Sequence, residues 1–198
     1  MSQCRGGRAV CAVIYCICVV AAVVFSTGGA RAAAHSNVID KLVPPGRPLL
    51  VMIPRIAVHA SLESVPLSSD RDVHAPFRWE DAGWFSRGPR PGTVGRAVIF
   101  GHLDSTCCPA VFWSLQTMRE GDVVRVQYGD GRVLSFRVLW QHTYANAGLP
   151  VHWLFGGGTG PRALILFTCA GIFHTDGTGY DHKLVVYARL ILPNGQLG

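Results

Sequence analysis

From Leu49 onward, apolar residues gather into short runs separated by glycine, proline and polar clusters. LLVMIPRIAV (49–58) and ASLESV (60–65) come first, followed by AVIFG (97–101), DVVRVQY (122–128), RVLSFRVLW (132–140), RALILFTC (162–169) and KLVVYARLIL (183–192). Val124, Val126 and Tyr128 alternate with Arg125 and Gln127, and Leu134, Phe136, Val138 and Trp140 alternate with Ser135 and Arg137. A period of two places every apolar residue of a run on one face of a strand. Gly129-Asp130-Gly131 lies between these two runs and predicts a hairpin. Helix is scarce, with AVFWSLQTM (110–118) the best and only a short candidate. At least seven strands joined by loops predict an all-β domain, closed as a barrel or packed as a sandwich. No internal repeat is visible.

The first 48 residues have a different texture. Residues 9–25 carry no charge and follow Arg5 and Arg8, and the small residues up to Ala30 can lengthen the apolar span. This pattern predicts a cytoplasmic n-region over 1–8 and a transmembrane signal anchor over 9–30, with the rest of the chain outside the cell. The competing reading is a cleaved signal peptide, with ARA or AAA near residues 30–34 as the cleavage site. Either way the globular part is exported. Residues 31–48 read as a linker, 49–193 as the domain and 194–198 as a C-terminal tail.

Charge narrows the function classes. Of the net +6, three charges come from Arg5, Arg8 and Arg31, and the remaining +3 is spread thinly. A nucleic-acid groove needs clustered Lys and Arg, and none is present. The 49% hydrophobic content argues against disorder. Four of the seven cysteines (Cys4, Cys11, Cys16, Cys18) lie in or beside the apolar N-terminal segment, which argues against a disulfide scaffold. No CxxC pair or zinc-type Cys/His spacing occurs, so a structural metal site is not expected.

Cys169 and His102 remain as candidate chemistry. Each closes an apolar strand and precedes a polar loop. A thiol there can reach solvent while the sheet fixes its backbone, although free cysteine is more commonly buried and inert. An imidazole nearby would favour the thiolate that nucleophilic chemistry needs. His142, His152, His174 and His182 compete with His102, and spacing alone does not choose among them.

PGTVGRAVIFGHLDS (91–105) and LILFTCAG (164–171) resemble the histidine and cysteine motifs of the sortases, in the right order. IPRIAV, AGWFSRGPRPG and AVFWSL resemble class F, the type common in actinobacteria, and the likeness spans about residues 50–192. It implies an eight-stranded β-barrel and a cysteine transpeptidase that cleaves an LPXTG-type sorting signal between Thr and Gly. Cys169 would be the nucleophile and His102 the proton donor and acceptor, and this acyl transfer would need no metal or organic cofactor. The partners implied are the sorting-signal peptide of a secreted surface protein and an amine of a cell-wall precursor, or water in its place. Thr168 matches the threonine that precedes the family's nucleophile, and would shape the anion site or fill a turn.

Two places depart from the family pattern. Ile165-Leu166 stands where Thr-Leu is common, and Lys183 stands where the last strand carries an arginine that steadies the oxyanion. A two-residue slip would put Asp181 there, and Arg87, Arg90 or Arg189 are other sources of charge. Cys107-Cys108 lies five residues past His102, as bland thiols or as a redox brake on that histidine. Two rival readings follow: a catalytically impaired sortase-like peptide-binding module, and a cysteine enzyme of the L,D-transpeptidase type.

Overall fold

All seven apolar runs contribute strands in the computed structural model, which describes residues 46–66 and 75–198. The expected membrane segment and nearly all of the linker lie outside the described residues. Eight strands are present: β1 (Pro48–Ile53), β2 (Val58–Val65), β3 (Ala82–Phe85), β4 (Gly95–Gly101), β5 (Val123–Tyr128), β6 (Val133–Ala145), β7 (Arg162–His174) and β8 (Gly179–Leu190). They close into a barrel in the order β1-β2-β3-β4-β7-β8-β6-β5. Closure leaves no unpaired sheet edge, so the barrel resolves the choice between barrel and sandwich.

Two local expectations need correction. The run 49–58 is interrupted by a 3-10 turn at Pro54–Ile56, after which Ala57 takes φ 53°. Proline has no N–H for the ladder, so the strand stops there. The expected helix over 110–118 is a five-residue 3-10 turn, Trp113–Thr117. A short helix that the periodicity did not reveal, α1 (Val151–Phe155), buries Leu154 in the outer apolar cluster. β3 has no counterpart among the apolar runs, because four residues are too few to show a period.

β4 and β7 run parallel at the centre of the site-bearing wall, with Ala97 opposite Leu164 and Phe100 opposite Phe167. Ala97, Ile99, Leu164 and Leu166 face the barrel core. Val98, Phe100, Ala163 and Ile165 face a second apolar cluster outside it. Burial on both faces explains why these runs read as continuously apolar. It also means that hydrophobic pattern alone does not set their register. Polar ties at both ends do so. Arg162, 5% exposed, donates from Nη1 to the Gly92 carbonyl at 2.8 Å. Thr168, 2% exposed, donates from Oγ1 to the Gly101 carbonyl at 2.8 Å.

Candidate active site

The register fixed by those ties brings His102 and Cys169 together. Each lies two residues beyond the Phe100–Phe167 pair, where the parallel β4–β7 ladder ends and neighbouring strands run about 4.8 Å apart. β7 itself continues to His174, so Cys169 does not close its strand as the sequence suggested. Cys169 shares the outward parity of Ile165 and Phe167, while Thr168 points inward and is buried. Both Cys169 and His102 are half-buried and line one cavity of about 650 Å³.

The third member comes from β8. Lys183 is the cross-strand partner of Cys169, and its Nζ donates to Sγ at 3.1 Å. Asp181, the alternative produced by a two-residue slip, is engaged elsewhere: it accepts from the Ile172 amide at 2.7 Å and pairs with His182 Nδ1 at 2.7 Å. The His182 hydrogen bond, then that of the Ile172 amide, holds its carboxyl below the usual range. Arg189 donates to the carbonyls of Gly198 and Leu197, towards the C-terminal end of β8. Arg87 and Arg90 lie in the loop before Gly95, at the end of β4 opposite His102. Seven residues of strand, about 23 Å at the usual rise, separate that loop from the site.

His102 is held from several sides. Its Nε2 lies 2.9 Å from the Pro76 carbonyl, and its ring centroid is 4.3 Å from that of Trp79. A carbonyl only accepts, so Nε2 carries the hydrogen of the neutral ring and Nδ1 is left for chemistry. The Pro76–Trp79 segment is itself anchored, through the Phe77 amide to Glu63 Oε2 at 3.2 Å and the Val111 amide to the Trp79 carbonyl at 3.0 Å. The competing histidines are occupied elsewhere. His142 packs on Tyr144, His152 belongs to α1, and His174 and His182 face Asp181.

A second cavity of about 350 Å³ opens on the other side of the sulfur, lined by Trp113, Gln116, Thr143 and Leu184 among others. Leu103, Asp104, Cys169 and Tyr180 line both cavities and form the saddle between them. The Tyr180 hydroxyl donates to Asp104 Oδ2 at 2.5 Å across this saddle. Ionising the phenol beside that carboxylate would lose the bond, and its pKa is pushed up to about 12. Sequence reasoning missed Tyr180 and Asp104, although Asp104 stands in the quoted histidine motif. A tyrosine amid glycines and an aspartate after GHL carry no signal until the loops meet.

Gly171, two residues past Cys169 within β7, has φ 83°, and a Cβ there would lie 2.1 Å from Asp181 Oδ1. Cys107 and Cys108 are exposed, unbridged thiols whose sulfurs approach to 2.6 Å. Neither lines the cavity that holds Cys169 and His102.

Comparison with known proteins bears on this geometry. A family model described as the sortase domain matches residues 51–191. Comparison of the sequence with curated proteins found no match. Among solved structures, pilus-related sortase C of Group B Streptococcus superposes with TM-score 0.56 at 18% identity, covering 80% of this chain and 74% of that one. Sortase C of Streptococcus pneumoniae gives 0.54 at 22% identity, covering 77% and 73%. Sortase A from Corynebacterium diphtheriae gives 0.55 at 18% identity, covering 85% and 72%. At these identities the structural likeness is one of fold.

Proposed function

The chain belongs to the sortase family, and on that premise we propose that it is an exported class F-type cysteine transpeptidase acting on an LPXTG-type sorting signal. In this reading Cys169 attacks the Thr carbonyl and forms a thioacyl-enzyme. His102, as imidazolium, gives its Nδ1 proton to the departing Gly amine and later takes a proton from the incoming nucleophile. Lys183 is the counter-ion of the sulfur and of the carbonyl oxygen as it gains charge. Thr168 acts indirectly, by holding β7 against β4 through the Gly101 carbonyl.

The observation that carries this reading is convergence: Cys169 and His102 line one cavity, with the Lys183 ammonium 3.1 Å from the sulfur. A lysine offers a point charge in place of the planar arginine fork. That is enough to stabilise an oxyanion, with looser orientation, so the departure at residue 183 does not require an inert binding module. The acceptor is the amine of a cell-wall precursor, or water, and the segment 9–30 tethers the enzyme to the membrane with its domain outside.

The test is incubation with an LPXTG-type peptide, followed by mass spectrometry of intact protein and products. A thioacyl adduct on Cys169 and cleavage between Thr and Gly are expected, both lost in Cys169→Ala. Peptide binding without cleavage in the wild type would favour the impaired module instead.

A further inference from the structure

The saddle in front of Cys169 divides the cleft into two lobes of different chemistry. The general acid that protonates the departing amine is also the base for the entering one, so both amines occupy the same place, on the His102 side. That side is the larger lobe, which also holds Trp79, Phe173 and Tyr180. Asp104 is the one acid among the residues lining it. Its Oδ2 is bound by the Tyr180 hydroxyl, while Oδ1 takes no hydrogen bond from the described residues.

From this placement we propose that Asp104 is the acceptor-amine site: Oδ1 receives the primary ammonium of the incoming nucleophile and holds it between His102 and the thioester on Cys169. The inference rests on the sortase-type reading above and adds the group that selects the acceptor. Tyr180 keeps its proton and aims the carboxylate, because its hydroxyl stays neutral well above physiological pH. Trp79 and Phe173 line the same lobe.

The step balances as follows. The bound ammonium loses one proton to solvent and becomes a free amine. Its nitrogen attacks the thioester carbonyl, the new C–N bond forms, and the C–S bond breaks with its electron pair leaving on the Cys169 sulfur. The second nitrogen-bound proton passes to neutral His102, restoring the imidazolium that the first half-reaction consumed. Lys183 faces the returned thiolate.

An internal competition tests the proposal. The full-length chain in detergent is supplied with an LPXTG-type peptide and two nucleophiles at once, triglycine amide and hydroxylamine. Triglycine amide presents an ammonium near neutral pH and hydroxylamine presents an uncharged nitrogen. The ratio of the two products reports only the second step, whatever happens to the rate of acylation. In Asp104→Asn the triglycine-to-hydroxylamine product ratio should fall about two- to fivefold, the range of a partly exposed charge pair. Asp104→Glu should restore part of it. In the wild type, added salt should lower the same ratio, which needs no variant to fold. An unchanged ratio in Asp104→Asn, or a salt-independent ratio in the wild type, overturns the proposal while leaving the sortase reading intact. Absence of both products with wild-type protein overturns the two together. A merely structural role for the Asp104–Tyr180 bond would not separate charged from uncharged nucleophiles.

Discussion

Lys183 and Cys169 face each other across β7 and β8 as a cross-strand pair, with Nζ 3.1 Å from Sγ. The pairing is set by ladder register and not by side-chain search, so the ammonium is delivered to the sulfur by the fold itself. Lys183→Ala should lower kcat/KM for the sorting-signal peptide by about 10²- to 10³-fold, the usual loss when a donor to a developing oxyanion is removed. Stability should change by less than about 0.5 kcal/mol, because the side chain is half-exposed and outside the core. Lys183→Arg, which restores the family's usual residue, should keep activity well above the alanine variant. Equal turnover in Lys183→Ala would remove the residue from the mechanism.

Thr168 makes a separate prediction. Its hydroxyl is the polar tie between β4 and β7 at the site end, and it is buried. Thr168→Val keeps the volume but leaves the Gly101 carbonyl without its donor. A loss of about 1–3 kcal/mol follows, read as a lower urea midpoint at constant slope. Activity should fall with it, since the same tie aligns His102 with Cys169. Thr168→Ser should retain both.

The barrel was legible because it rests on local signals, and His102 with Cys169 because resemblance to a family singled them out from among the other histidines and thiols. Period-two alternation marked β5 and β6, and apolar runs ending in His102 or Cys169 marked the parallel pair at the site. Lys183 was legible through resemblance to the family's last strand, and the β7–β8 ladder brings it to the sulfur. The rest depended on contacts between distant loops. Pro76 meets His102 across 26 positions and Asp104 meets Tyr180 across 76. No period or spacing encodes such meetings. β3 is short, and α1 is anchored by one buried leucine, so neither shows in sequence.

Gly171 should resist substitution. It sits at the irregularity between Ala170 and Phe173, in a left-handed conformation that disfavours any side chain. In Gly171→Ala the new methyl would collide with Asp181 Oδ1 and His182 Nδ1, at 2.1 and 2.6 Å. Relief requires moving the Asp181 carboxylate, which closes this end of the β7–β8 hairpin. The expected result is a loss of roughly 1–3 kcal/mol of stability, comparable to other strained positions. Amide exchange should rise selectively around Ile172, whose N–H bonds to Asp181. A variant as stable as the wild type would show that the hairpin end adapts freely.

The vicinal thiols should differ in reactivity although both are exposed. Hydrogen bonds from Cys108 and then Ser105 pull the Cys107 thiol below its ordinary pKa, while the Cys107 contact pushes Cys108 up. Limited alkylation should therefore label Cys107 before Cys108, as read by peptide mapping in a Cys169→Ala background. Cys107→Ser should also abolish any dependence of activity on reductant. A reductant effect that persists in that variant would exclude this pair as the redox-sensitive element.

Alkaline titration provides a test that needs no substrate. Burial pushes Tyr128 up to about 12, and its hydroxyl donates to the Pro91 carbonyl at 2.6 Å. Tyr180 is also pushed up to about 12, chiefly by its bond to Asp104. Both groups are neutral when protonated, and both have folded-state values above the ordinary value of about 10. The unfolded chain therefore releases its phenolic protons first as pH rises. Stability from these residues is complete below about pH 10 and is lost progressively towards about pH 12. Absorbance titration of the folded protein should show Tyr128 and Tyr180 ionising late, and Tyr180→Phe should remove one late step. Because Tyr180 is half-exposed, most of the falling denaturation midpoint should survive that substitution and trace to buried Tyr128. If every tyrosine ionises together near pH 10 while the barrel stays folded, neither hydroxyl is held as described, and the Tyr180 bond cannot be what aims Asp104.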